Sequence, residues 1–443
     1  MESMSHGLLR VRRAAERDRS TRFTSLMHHI TPELLTASYR ALKHDAAPGV
    51  DGCIWAEYGH KLKENLESLH TRMHTGSYRA RPSLRVYIPK SDGAKRPLGI
   101  ACVEDKILQH AVSGTLSAIY EADFYGFSYG FRPGRGCHNA LDALYVAIMK
   151  KRVNYVLDAD IQGFFDSISH TWMHRFLECR IADQRILRLI DKWLKAGISE
   201  DGGWSRTEAG TPQGAVISPL LANIFLHYVL DDWVVWWRKK HANGDVIIVR
   251  YADDFVMGFQ YKHEAESFHD ALRKRLDHFG LKLHPSKTRL IEFGKYASVN
   301  RRNRGEGKPE TFSFLGFTHI CSMNWKHKCF KILRQTDRKR MRETLARISQ
   351  NLKTHMHHEI EEVGYWLKRM IQGYYQYFAV PDNTRRLFLF RESVLHIWYK
   401  VLLRRSQRRC LKWKKFRTLV EHWIPRPTPL HPYPEKRFCA RYA

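Results

Sequence analysis

The sequence predicts an α+β body followed by an all-α, strongly basic C-terminal region. Two apolar runs rich in β-formers, Val153–Asp160 (VNYVLDAD) and Val246–Phe259 (VIIVRYADDFVMGF), are bounded by turn residues and read as strands. Segments such as Asp105–Tyr120 and Leu220–Trp237 have helical spacing and alternate with them. Charge is the third observation: residues 321–443 hold 28 Lys+Arg against 9 Asp+Glu, which is +19 of a total of +29.

The 443 residues are 43% hydrophobic and 12% aromatic, which suits a folded chain of several domains and rules out disorder throughout. A pI near 9.9 implies a polyanionic partner, with nucleic acid ahead of an anionic membrane surface. No stretch reaches the roughly 18 apolar residues of a membrane helix, so no membrane role is expected. The first twenty residues (MESMSHGLLRVRRAAERDRS) have no apolar secretory core, and Glu2, Glu16 and Asp18 argue against a transit peptide. A cytoplasmic protein is the expectation. The eight cysteines form no C-x2-C pair, so neither a zinc ribbon nor an HNH-type nuclease module is indicated.

In chain order, residues 1–29 form a basic extension and 30–320 the α+β body. Within that body Asn300–Pro309 (NRRNRGEGKP) reads as a linker, and Phe312–Ile320 (FSFLGFTHI) as strand-like. Residues 321–422 read as all-α: Lys331–Leu352 is polar with helical spacing, and Glu362–Phe378 and Phe388–Leu403 carry apolar stripes. The tail, 423–443, opens with WIPRPTPLHPYP, and its five prolines predict an extended path.

The chemistry concentrates in carboxylates. Asp253 and Asp254 sit between apolar β-type flanks, where a carboxylate needs a partner or a metal. Alone, that pair is equally what an acidic hairpin turn would show. The segment VLDADIQGFFD (156–166) adds Asp158 and Asp160 at the end of another apolar strand. Two strands each ending in carboxylates suit a two-Mg2+ clamp for phosphoryl transfer.

The order of motifs resembles the reverse transcriptase family, and more closely the proteins encoded by bacterial group II introns. VYIPKSDGAKRPLGIACVEDKILQHAV (86–112) and YGFSYGFRPGRGCHNA (125–140) resemble its two fingers motifs. DADIQGFFD, GTPQGAVISPLLANIFL (210–226), YADDF, GLKLHPSKTRLIE (280–292) and FSFLGF follow as its palm motifs. The resemblance implies a right-hand polymerase fold: fingers and an antiparallel palm, then a helical thumb/maturase region.

It also implies roles. Asp160, Asp253 and Asp254 would be catalytic metal ligands for two Mg2+ ions, with Mn2+ as a substitute; Asp254 is the supporting acid. Lys90 and Arg96 would hold the triphosphate. Phe165 would wall the sugar site against a 2'-hydroxyl. Gln213 would lie under the incoming nucleotide, and Lys287 near the leaving pyrophosphate. The motif spacing selects Asp160 over Asp158, leaving Asp158 and Asp166 as structural. In the helical region WLKRMIQGYYQYF (366–378) resembles the maturase pattern. Lys368, Arg369, Arg385, Arg386, Arg404, Arg405, Arg408 and Arg409 are the candidates for RNA phosphate contacts, and Trp366, Tyr374 and Tyr377 read as core. Expected partners are an RNA template, the chain's own intron RNA, a DNA primer or target, and deoxynucleotides. Two alternatives share the motifs: a reverse transcriptase of a phage-defence or CRISPR-associated system, and an RNA-binding maturase without polymerase activity.

Overall fold

A computed structural model describes residues 6–89, 95–200, 203–205, 208–324, 326–405 and 411–442. The strands in chain order are β1 (Ser83–Pro89), β2 (Lys95–Ile100), β3 (Tyr155–Ala159), β4 (Ile198–Glu200), β5 (Gly203–Ser205), β6 (Val246–Tyr251), β7 (Asp254–Phe259), β8 (Arg289–Glu292), β9 (Phe312–Phe314), β10 (Phe317–Asn324) and β11 (Cys329–Thr336). With the helices between them they form an α+β fold.

The palm sheet has the order β6-β7-β3-β8 and every neighbouring pair is antiparallel. Its residues alternate between two cores. Leu157, Ala159, Phe255, Met257 and Ile248 pack into one cluster with the Val103–Tyr120, His170–Glu178, Ser218–Leu226 and Lys262–His278 helices. Val156, Val256, Ile247, Val249 and Ile291 pack into the other, with the Cys137–Lys150 helix, the β9–β11 sheet and the C-terminal helices. Burial on both faces explains why these strands read as continuous apolar runs rather than alternating ones.

The fingers sheet, β2-β1-β4-β5, contains one parallel pair, β1 with β4 (Ser83↔Ile198, Leu84↔Ser199), beside its antiparallel ones. The third sheet departs from expectation. β10 crosses the 320/321 boundary and pairs with β11 from Phe317↔Thr336 to Asn324↔Cys329, so the region after 320 is not helical from its start. The segment expected to be helical from Lys331 is strand until Thr336, because Ile332, Arg334 and Thr336 alternate inward. The helix runs from Arg338 to Thr354, and Asp337 caps it, accepting from the Lys339 and Arg340 amides at 2.9 and 3.1 Å.

The helices Ile360–Phe378 and Thr384–Leu403 match the apolar stripes read from sequence. The Pro-rich tail is not extended throughout: Pro434–Tyr442 is a helix, with Pro in the first turn where its missing N–H costs nothing. It packs against the Cys137–Lys150 helix, where Arg437 Nη2 lies 2.9 Å from Asp142 Oδ1. Among the described residues no helix is long and apolar enough to cross a membrane.

Candidate active site

β6 and β7 are joined by a tight turn, with Tyr251 paired to Asp254 across it. Asp253 lies at the tip, preceded by Ala252 in a left-handed conformation (φ 56°). Asp160 follows β3 directly, and β3 is β7's neighbour in the sheet, so the two acidic segments meet at one end of it. The chain around Asp160 is fastened to the segment before β8: the His284 amide donates to the Asp160 carbonyl at 2.8 Å, and the Gln162 amide to the Lys282 carbonyl at 2.8 Å.

Asp158, Asp160, Asp254 and Lys287 line one cleft of about 470 Å3. Lys287 Nζ is 2.7 Å from Asp160 Oδ2. The carboxyls disturb one another. Burial raises Asp253, the Asp160 charge adds to this, and Arg96 and Arg250 oppose it. Asp254 shows surface to solvent, yet its carboxyl is pushed up to about 7, by lost solvation and by the charges of Asp253, Asp160 and Asp158. Asp158 is raised to about 6, first by burial; Arg289 pulls it down and Asp160 pushes it up. Asp158, read from the sequence as structural, therefore belongs to the same electrostatic cluster.

Crowded carboxylates facing an open cleft are a donor set for a divalent cation. Lys287 already places a positive charge on Asp160. Among the described residues, no group of three or more His, Cys, Asp or Glu side chains is arranged to hold a metal ion. Mg2+ in general takes only one or two protein carboxylates and fills its octahedron with water and substrate phosphate.

The nucleotide-site candidates sit on the fingers side. Arg96, on β2, is near enough for its charge to act on Asp253. Gln213 lines a second cavity of about 250 Å3 together with Arg85, Gly99, Asp166 and Thr211. Its carbonyl accepts from the Gly99 amide at 2.6 Å, which ties this loop to β2. Phe165 is half-buried, packs edge-on to Phe164, and its carbonyl accepts from the Thr211 amide at 2.8 Å. Gly210 (φ 86°) passes so close that a Cβ there would lie 2.9 Å from that carbonyl. Lys90 lies outside the described residues, as do Arg408 and Arg409.

The basic candidates of the C-terminal region divide. Arg369, Arg385 and Arg404 are exposed and Lys368 is half-buried. Arg405 is engaged with the carbonyls of Met356 and His358, and Arg386 Nε donates to Gln335 Oε1 at 3.3 Å, so both hold the fold together. Tyr374 is buried, and Trp366 and Tyr377 are partly buried against the same core.

Arg250, one residue before the YADDF motif, is a further buried charge beside the acidic turn that motif spacing alone does not single out. The signal was present: a lone charge within VIIVRY, an apolar strand, must find buried partners.

Residues 88–319 match the family described as reverse transcriptase (RNA-dependent DNA polymerase). The chain is 33% identical over 312 residues to protein YkfC of Escherichia coli, covering 62% of this chain and 81% of that protein. It is 36% identical over 220 residues to the group II intron-encoded protein LtrA of Lactococcus lactis, covering 49% of this chain and 36% of LtrA. An uncharacterized 91 kDa protein in the cob intron of Schizosaccharomyces pombe is 42% identical over 153 residues, 34% of this chain and 19% of that protein. The family match spans more than half of the chain and frames the acid cluster. The family model and a relative covered over four-fifths of its length agree, and the chain thus belongs to the reverse transcriptase (RNA-dependent DNA polymerase) family.

Proposed function

We propose that the chain copies RNA into DNA by nucleotidyl transfer at the Asp160–Asp253–Asp254 cluster, and that its basic helical region binds the RNA of its own intron and promotes splicing. The observation that carries the first part is the convergence of carboxylates from β3 and the β6–β7 turn, whose mutual repulsion a bound cation would relieve.

Asp160 and Asp253 would hold Mg2+, with Asp254 in support. Two such ions supply charge stabilisation for the attacking and leaving oxygens of an in-line displacement. The chain's own groups do the rest. Arg96, with Lys90, grips the triphosphate; a guanidinium suits phosphate oxygens two at a time. Gln213 supports the incoming base pair from the loop tied to β2. Phe165 walls the sugar, so that a 2'-hydroxyl would clash. Lys287 holds Asp160 until substrate arrives and then faces the departing pyrophosphate, where it can donate a proton.

Primer extension on an RNA template tests this directly. Wild type should extend in Mg2+, and Asp253→Asn should fall by at least about 10^3-fold, the scale of lost transition-state charge stabilisation. No wild-type extension would refute the polymerase reading, and extension unchanged by the substitution would refute the site. Three exposed arginines of the helical region, Arg369, Arg385 and Arg404, support the second part. The protein should bind the intron RNA flanking its gene far more tightly than unrelated RNA in moderate salt, where nonspecific phosphate contacts weaken. Equal affinity for both RNAs would count against intron recognition.

A further inference from the structure

Arg250 is the only charged side chain of β6, and it is completely buried. A guanidinium without water must be matched by acceptors. Nε reaches Asp231 Oδ1 at 2.8 Å and Nη2 reaches Asp231 Oδ2 at 2.5 Å. Nη1 donates to Asn223 Oδ1 at 3.0 Å and to the Ala252 carbonyl at 3.0 Å. The last contact lies on the acidic turn itself, on the residue that precedes Asp253.

The other end of Asn223 reaches the same turn. Its Nδ2 donates to the Gly130 carbonyl at 2.7 Å. The Gly130 backbone lies against the turn, where an added Cβ would stand 2.3 Å from the Ala252 nitrogen. The main chain of Arg250 is fastened too: its amide donates to the Phe127 carbonyl and its carbonyl accepts from the Tyr129 amide, both at 2.9 Å.

Asn223 and Asp231 are eight residues apart. On an unbroken α-helix, at about 100° per residue, they would stand about 80° apart around the axis. The π-turn His227–Asp231 inserts one residue into the helical path. The separation then behaves like seven steps and brings the two side chains within about 20° of one face. One guanidinium can be gripped by both only because the helix widens there. The device also sits beside strain, since a left-handed alanine costs about 1–2 kcal/mol unless its surroundings hold it.

We propose that Arg250, clamped by Asn223 and Asp231 across the π-turn, is a positioning residue: it holds the Ala252–Asp253 turn so that Asp253 faces Asp160. This rests on the polymerase reading of the site. Two variants test it in the full chain. Arg250→Lys keeps a charge for Asp231 but cannot make all four contacts; Asn223→Ala leaves the ion pair intact, so it decides the question if Arg250→Lys fails to fold. The readouts are thermal melting, template–primer affinity, single-nucleotide incorporation, and Mn2+ binding to the free protein by electron paramagnetic resonance.

Each folded variant should lose about 10–100-fold in Mn2+ affinity, the usual cost of removing a group that orients a ligand. The incorporation rate should fall about 10^2-fold, with template–primer affinity within about twofold of wild type. Mn2+ affinity unchanged in the folded variants would overturn the proposal, whatever the melting temperature does. If the wild type extends no primer, the polymerase reading fails, and the Mn2+ titration alone supports or overturns the role of Arg250.

Discussion

Asp105 shows how one buried group sets a pH dependence. It lies under the fingers, accepting from the Tyr78 hydroxyl and, at 3.3 Å, from the Arg81 amide, while Trp193 Nε1 donates to Tyr78 Oη at 2.9 Å. Burial raises its pKa to about 6, although both hydrogen bonds pull the other way. A carboxyl raised above its unfolded value stabilises the fold while protonated. That stabilisation is complete below the ordinary 3.8 and is lost as pH climbs through about 6. Asp105→Asn should therefore gain on wild type by about 1.5 kcal/mol between pH 5 and pH 8, read as the difference in urea unfolding free energies. A constant difference across that range would refute the assignment. Gly130 gives a second residue-scale expectation. Gly130→Ala should displace the acidic turn and abolish primer extension, while gel-shift affinity for template–primer is retained.

Among the elements, the Gln184–Leu194 helix is bound to the N-terminal segment through its cap. Asp183 accepts from the Arg185 amide at 3.0 Å, and its other oxygen takes the Leu26 and Met27 amides at 2.8 and 3.1 Å. Burial would raise this carboxyl, but these bonds and the Arg185 guanidinium bring it down to about 2. Its contribution is present above the ordinary 3.8 and fades as pH falls toward 2. Asp183→Ala removes the cap and strands buried amides, so it should cost about 2–4 kcal/mol in urea unfolding at neutral pH. The 321–336 segment shows the limit of reading elements locally. Polar residues with helical spacing also alternate at period two there, and pairing with β10 decided between the two.

Across the whole molecule, Asp142 on the Cys137–Lys150 helix ties β11 and the C-terminal tail helix to the body of the chain. This buried carboxylate meets Arg334 at 3.1 Å, and Arg437 of the tail helix. Asp142→Ala would leave Arg334 buried without its partner, a loss of about 3–5 kcal/mol. Limited proteolysis should then cut the tail helix free first. Cutting no faster than in wild type would show that the tail is held by other means. The charge excess makes the other global expectation. Replacing Arg369, Arg385 and Arg404 by Gln should reduce the slope of log affinity against log salt for RNA by about 2–3, roughly 0.7–0.9 for each lost phosphate contact.

Much of the candidate site was readable without coordinates. Apolar period and flanking turn residues put Asp160 and Asp253 at strand ends, because strand and turn preferences are local properties of the chain, while Gln213 and Lys287 were singled out only by the resemblance of their motifs. The C-terminal charge excess and the two long amphipathic helices were readable for the same reason. Other features depend on partners far away in sequence. The parallel β1–β4 pair joins residues more than a hundred positions apart, and so does the Asp142–Arg437 contact. The grip of Asn223 and Asp231 on Arg250 needs a π-turn that no local propensity announces. The recruitment of Asp158 into the acid cluster follows from which strands lie side by side. Local chemistry determined which residues could act; which of them act together was decided only by tertiary packing, since burial and electrostatic coupling are properties of neighbours in space.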